Sequence, residues 1–153
     1  MLFCNLFLYS GFTLIFIVNS LMVQYEYFST EFSKYVGILG VITATCLICG
    51  MLLKIPISID AGHFLFSIYL FTSSLIAENP YLILVSAITL LIVILSRCYF
   101  SGCLLKRLHK ERTVLKPPLF RMILKQINWN IVYPGLLLIA LYRYYSIINP
   151  GEY

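Results

Sequence analysis

The sequence predicts an all-α integral membrane protein: a single-domain helical bundle of four to five transmembrane helices plus one interfacial amphipathic helix. Three observations lead there. Of the 153 residues, 61% are hydrophobic and only 11% charged, against about half and about a quarter in soluble domains. The mean hydropathy is +0.92. A soluble domain of this length leaves roughly a third of its unfolded surface exposed, which is too much apolar area to leave facing water. The apolar residues also fall in runs of span length, since a hydrocarbon core of about 30 Å takes about 20 helical residues.

The first run, 2–23, is broken by Cys4, Asn5 and small or hydroxyl residues. It has neither the basic leader nor the small-residue cleavage site of a signal peptide, so it reads as a retained span. Residues 24–34 carry Glu26, Glu31 and the aromatics Tyr25, Tyr27, Phe28 and Phe32, the composition of a headgroup-level anchor. The second span is 35–53, closed by Lys54 and Pro56. The third is 57–77, stopped at Glu78-Asn79-Pro80, because proline disfavours helix in the residue before it. The fourth is 81–105, with Arg97 near its far end.

A basic segment, 106–130, follows. It holds seven of the eleven lysines and arginines, Lys106, Arg107, Lys110, Arg112, Lys116, Arg121 and Lys125, opposed only by Glu111. Over 119–130, Arg121, Lys125 and Asn128 share one face and Phe120, Ile123, Leu124 and Ile127 the other. That spacing suits a helix lying in the membrane surface, anchored by Trp129. The last span, 131–148, has Pro134-Gly135 in its first turns and Arg143 late, where the long side chain is expected to snorkel outward.

Charge sets the expected orientation. A basic block beside apolar spans marks the cytoplasmic side and is drawn to anionic headgroups rather than to nucleic acid. With that block inside, alternation places Glu78 outside, Lys54 inside, Glu26 and Glu31 outside and the N-terminus inside. Every short loop then obeys the excess of positive charge on the inner side. A re-entrant last segment would leave four spans instead of five.

The candidate functional residues are few. Cys46-Leu47-Ile48-Cys49 is a C-x-x-C, but thiol chemistry needs a thiolate, which a low dielectric disfavours. Small membrane thiol oxidoreductases of the vitamin K epoxide reductase family keep such a pair together with shuttle cysteines that are missing from the upstream loop here. Gly37, Gly40 and Ala44 share a face of the same span, and Cys46 and Gly50 form a second small-x-x-x-small pair. Such faces let helices approach closely in lipid, so packing is the expected use. The five cysteines, an odd number scattered through apolar segments, do not form a secreted disulfide framework.

Asp60 and His63, at spacing i, i+3, share a face of the third span, and Arg97 falls at similar depth on the fourth. Ionisable groups inside a span mark a candidate site. An interhelical clamp, a helix cap at Asp60 and a proton relay are the readings, with clamp or cap preferred. The set is too sparse for a metal, and neither a metal nor a cofactor is expected. No nucleotide loop, catalytic triad or channel filter is present in the sequence.

The stretch from Arg97 to His109, with Cys103, followed by Tyr133-Pro134-Gly135, resembles a family of small multi-span membrane proteins of unknown function. That family has Cys-Pro-Leu-Thr-x-x-Glu at a helix end and Tyr-Pro in its last span, and its relatives occur in large double-stranded DNA viruses. Where the motif has proline, this chain has Leu104, and the motif's threonine and glutamate are replaced as well. The resemblance covers a minor part of the chain and implies no activity. It implies a setting, a virion inner membrane with capsid proteins as partners. An organelle inner membrane, with this chain as an accessory subunit of a respiratory or photosynthetic complex, is the alternative. A small transporter or thiol oxidoreductase stands third. The expectation is therefore a non-enzymatic structural component that packs against other membrane or capsid proteins and against anionic lipid.

Overall fold

The computed structural model describes residues 2–28, 30–100 and 128–150. Among them are five helices and no strand: α1 (Leu2–Gln24), α2 (Glu31–Leu53), α3 (Pro56–Leu75), α4 (Pro80–Phe100) and α5 (Trp129–Ile148). Each is 20 to 23 residues long, or about 30–35 Å at 1.5 Å per residue. Glu31–Leu53, Pro80–Tyr99 and Trp129–Ile148 are long and apolar enough to cross a membrane, and α1 adds the apolar stretch Tyr9–Gln24. The basic residues Lys106, Arg107, Lys110, Arg112, Lys116, Arg121 and Lys125, with the amphipathic helix expected around them, lie outside the described residues.

The helix ends follow local chemistry. Thr30 caps α2, its hydroxyl accepting from Ser33 N at 3.3 Å, so α2 begins in the aromatic segment, four residues before the expected span. Asn79 opens α4: its Oδ1 accepts from Tyr81 N at 2.9 Å and Leu82 N at 3.4 Å, while Pro80 takes the first helical position, where a missing N–H costs nothing. The dipeptide Asn79-Pro80 thus starts a helix as well as ending one. Pro56 does the same for α3 after the two-residue link Lys54-Ile55. Lys54 adopts the left-handed conformation, φ 53°, and its N–H caps Gly50 O. Asn128 caps α5, which starts at Trp129 rather than at 131.

The described helices run antiparallel in turn along the chain, so that α3 and α5, which also pack together, run in the same direction. Ser58 Oγ donates to Cys46 O at 2.8 Å, and the Ser74 and Ser86 hydroxyls, both fully buried, lie 2.6 Å apart between α3 and α4. The basal end of the bundle therefore holds Lys54, Arg97 and Trp129, and the distal end holds Glu26, Glu31, Glu78 and Arg143. Helix α3 is central: it packs on α2, α4 and α5 and donates the fully buried Tyr69 and Leu70 to the core. At the distal end Asn79 Nδ2 donates to Tyr27 O at 2.6 Å, and the Tyr27 and Tyr81 rings meet edge to face at 5.5 Å.

Candidate functional site

Small residues on α2 decide how closely α1 and α3 approach it. The buried face of α2 carries Gly37, Gly40, Thr43, Ala44, Leu47 and Gly50. A Cβ at Gly37 would lie 2.6 Å from the Phe28 ring, and one at Gly50 2.8 Å from Ile59 Cγ1 and 3.0 Å from the Ile59 backbone N. Ala44 is fully buried. Cys46 is only half-buried, and Leu47, not Cys46, occupies the face, seated over Gly62 of α3. In lipid, where there is no hydrophobic drive between helices, such close approach is a main source of association.

Gly40 opens onto a polar contact that the sequence does not advertise. Asn19 of α1 and Tyr69 of α3, both with no exposed surface, meet over it: Asn19 Nδ2 donates to Tyr69 Oη at 3.2 Å and to Ile15 O at 2.8 Å. Asn19 Oδ1, and Thr43 Oγ1 one turn from Gly40 on α2, are buried without hydrogen-bond partners. This is the polar centre of the bundle. Its chemistry is that of a neutral interhelical hydrogen bond.

The ionisable residues stand elsewhere. Asp60 and His63 are half-buried in the first two turns of α3, at the basal end. Asp60 is not a helix cap: α3 begins four residues earlier, at Pro56, whose fixed φ favours that position. Arg97 ends α4 at the same basal end but turns toward α5. Its Nη2 donates to Asn130 Oδ1 at 3.1 Å, its guanidinium lies 5.6 Å from the centre of the Tyr133 ring, and its Nε is buried without a hydrogen-bond partner. Trp129 stacks obliquely on Tyr133, ring centres 5.3 Å apart.

Arg143 has a defined place at the distal end. Rather than pointing outward it reaches across to the end of α3, donating to Ser74 O at 3.0 Å, Ala77 O at 2.7 Å and Ile76 O at 3.4 Å. The last carbonyls of a helix lack intrahelical partners and carry the negative end of its dipole, so a guanidinium satisfies both. Arginines thus join both ends of α5 to the bundle.

Cys46, Cys49 and Cys98 are free thiols, the first half-buried and the others exposed. Among the described residues no group of three or more His, Cys, Asp and Glu is placed to hold a metal ion. No protein-family model matches the chain, and neither a curated protein nor a solved structure matches it.

Proposed function

We propose that this protein is a non-enzymatic structural component of a membrane, a multi-span helical bundle that packs within a larger assembly. The observation that carries the reading is the division of labour between inside and outside. Four polar contacts among the described residues join helices to one another: Asn19 to Tyr69, Ser74 to Ser86, Ser58 to the Cys46 carbonyl and Arg143 to the end of α3. The outside is apolar. Helix α5 has only Leu136 and Ala140 buried and turns Ile131 and Leu138, 69% and 68% exposed, away from the bundle. Lipid or a neighbouring protein must cover that face.

All five helices are read as spans. If α2 and α4, which run in the same direction, cross the bilayer, α3 must return between them. Its polar residues dilute its apolarity, yet Tyr69, Ser73 and Ser74 face protein, where they are tolerated. The basal end, with Lys54 and Arg97, is assigned to the inner side, with the N-terminus there and the C-terminus outside. The resemblance in sequence favours a virion inner membrane and capsid-associated partners; a respiratory or photosynthetic complex is the other setting.

Crosslinking in the native membrane, followed by purification under mild detergent, tests the reading. A defined set of protein neighbours is expected, and their identity selects the setting. A monomer that crosslinks to nothing overturns it.

A further inference from the structure

We propose that the basal corner formed by Arg97, Asn130, Trp129 and Tyr133 binds the phosphate group of an anionic lipid. The inference rests on the membrane reading and gives anionic lipid a seat at Arg97, apart from the basic segment 106–130. Three features of the corner point to a phosphate ester. The guanidinium of Arg97 is held in place by neutral groups, the Asn130 amide oxygen at 3.1 Å and the Tyr133 ring at 5.6 Å, so these contacts leave its positive charge uncompensated. Among the described residues its hydrogen bond is the one from Nη2 to Asn130, so the outer N–H groups of the guanidinium retain donor capacity, and its planar fork matches the spacing of phosphate oxygens.

The third feature is depth. Arg97 is in the last turn of a 21-residue apolar helix, and Trp129 and Tyr133 occupy the first turns of α5. A stacked Trp–Tyr pair at 5.3 Å provides the apolar body and polar rim found at headgroup level. Here an acyl chain can lie along the exposed flank of α5 at Ile131, 69% exposed, with the phosphate ester at Arg97. Free phosphate offers the same anionic oxygens without the chain, so lipid and soluble ester are distinguishable sources of one chemistry.

The test uses the full chain purified in a neutral detergent. Native mass spectrometry measures retention of dioleoyl-phosphatidylglycerol against dioleoyl-phosphatidylcholine. The wild type is expected to prefer the anionic lipid, and Arg97→Gln to lose about fivefold of that preference, the effect of one cation at a membrane surface. Arg97→Lys is expected to keep part of it. Asn130→Asp, an exposed near-isosteric change, sets a carboxylate beside the intact guanidinium and is expected to act like Arg97→Gln, so the test survives if the arginine variant fails to fold. The basic residues of 106–130 are unchanged in every variant, and Lys34→Gln at the distal end is expected to leave the preference intact.

Equal preference in wild type, Arg97→Gln and Asn130→Asp overturns the site. Displacement of the lipid by an equal concentration of glycerol phosphate overturns the lipid assignment in favour of a soluble phosphate ester. Carbonate extraction of the chain from phosphatidylcholine vesicles is the separate control: release into the soluble fraction refutes the membrane reading itself.

Discussion

Replacing Gly40 with alanine is the sharpest test of the packing at the polar centre. The added Cβ would stand 2.8 Å from Asn19 Cγ, 2.8 Å from Tyr69 Cε2 and 2.9 Å from Asn19 Nδ2. Real Cβ contacts do not come so close, and neither neighbour has room to swing, since both are fully buried. Overpacking of this kind costs about 1–3 kcal/mol. Displacing Asn19 also weakens its bond to Tyr69, a further ~0.6 kcal/mol for an average interhelical hydrogen bond in lipid. Against this, alanine in a helix gains about 0.5–1 kcal/mol over glycine. The net expectation is a loss of about 0.6–3 kcal/mol, read by equilibrium unfolding in mixed micelles. Gly11 and Gly135 supply the internal control. A Cβ at either meets nothing within 4 Å, so Gly11→Ala and Gly135→Ala are expected to be neutral or stabilising. Asn19→Ala combined with Gly40→Ala is expected to recover part of the loss, because the two sites share a contact and do not add independently. A Gly40→Ala protein as stable as Gly11→Ala would refute the close approach of α1, α2 and α3.

Other outcomes follow from single contacts. Arg143→Ala removes charge-assisted bonds to the Ser74 and Ala77 carbonyls and is expected to destabilise by about 1.5–3 kcal/mol, with the lower end favoured because the side chain is half-buried; equilibrium unfolding reads it. Asn79→Ala loses the cap of α4 and the bond to Tyr27 O, costing about 1–2 kcal/mol, and the same unfolding assay reads it. Ser74→Ala alone leaves the Ser86 hydroxyl without its partner and is expected to cost more than the Ser74→Ala/Ser86→Ala pair, which removes both polar groups. Lys54→Gly relieves a left-handed backbone worth about 1–2 kcal/mol for an L-residue and is expected to raise stability; no gain would argue against the tight turn between α2 and α3.

The described helices were legible in the sequence because apolar run length and punctuation report directly on where helices run and stop. Pro56, Asn79-Pro80 and the aromatic segment around Tyr27 each stand at a helix boundary, where the missing proline N–H and the interface chemistry place them. Errors at the boundaries have a common origin. Thr30 and Asn128 recruit the next backbone N–H groups as caps, so α2 and α5 begin inside stretches whose polarity had assigned them to the interface. Hydropathy measures the solvent around a segment, and a cap is a hydrogen bond that does not depend on it.

The direction in which Arg97 turns was not legible. A helix register puts Arg97 at the basal end; only the packing of α5 on α4 turns it toward Asn130 and Tyr133. Asn19 escaped for a related reason. In a hydrophobic run that also holds Asn5 it looks like a tolerated interruption, and its meaning depends on Tyr69, fifty residues away. The available signal lay in pairing: an asparagine within α1 and a glycine within α2, at compatible depth in an antiparallel pair, because a side-chain amide can bridge helices only where one backbone is bare. Gly40 is therefore a necessary partner of Asn19. The face that read as a generic small-residue stripe consists of separate seats, Gly37 for Phe28, Gly40 for Asn19 and Tyr69, and Gly50 for Ile59. Because each seat is shaped for a different side chain, a shift of register along α2 would leave all three unmatched, and that mismatch is what makes a stripe of small residues specify one bundle rather than many.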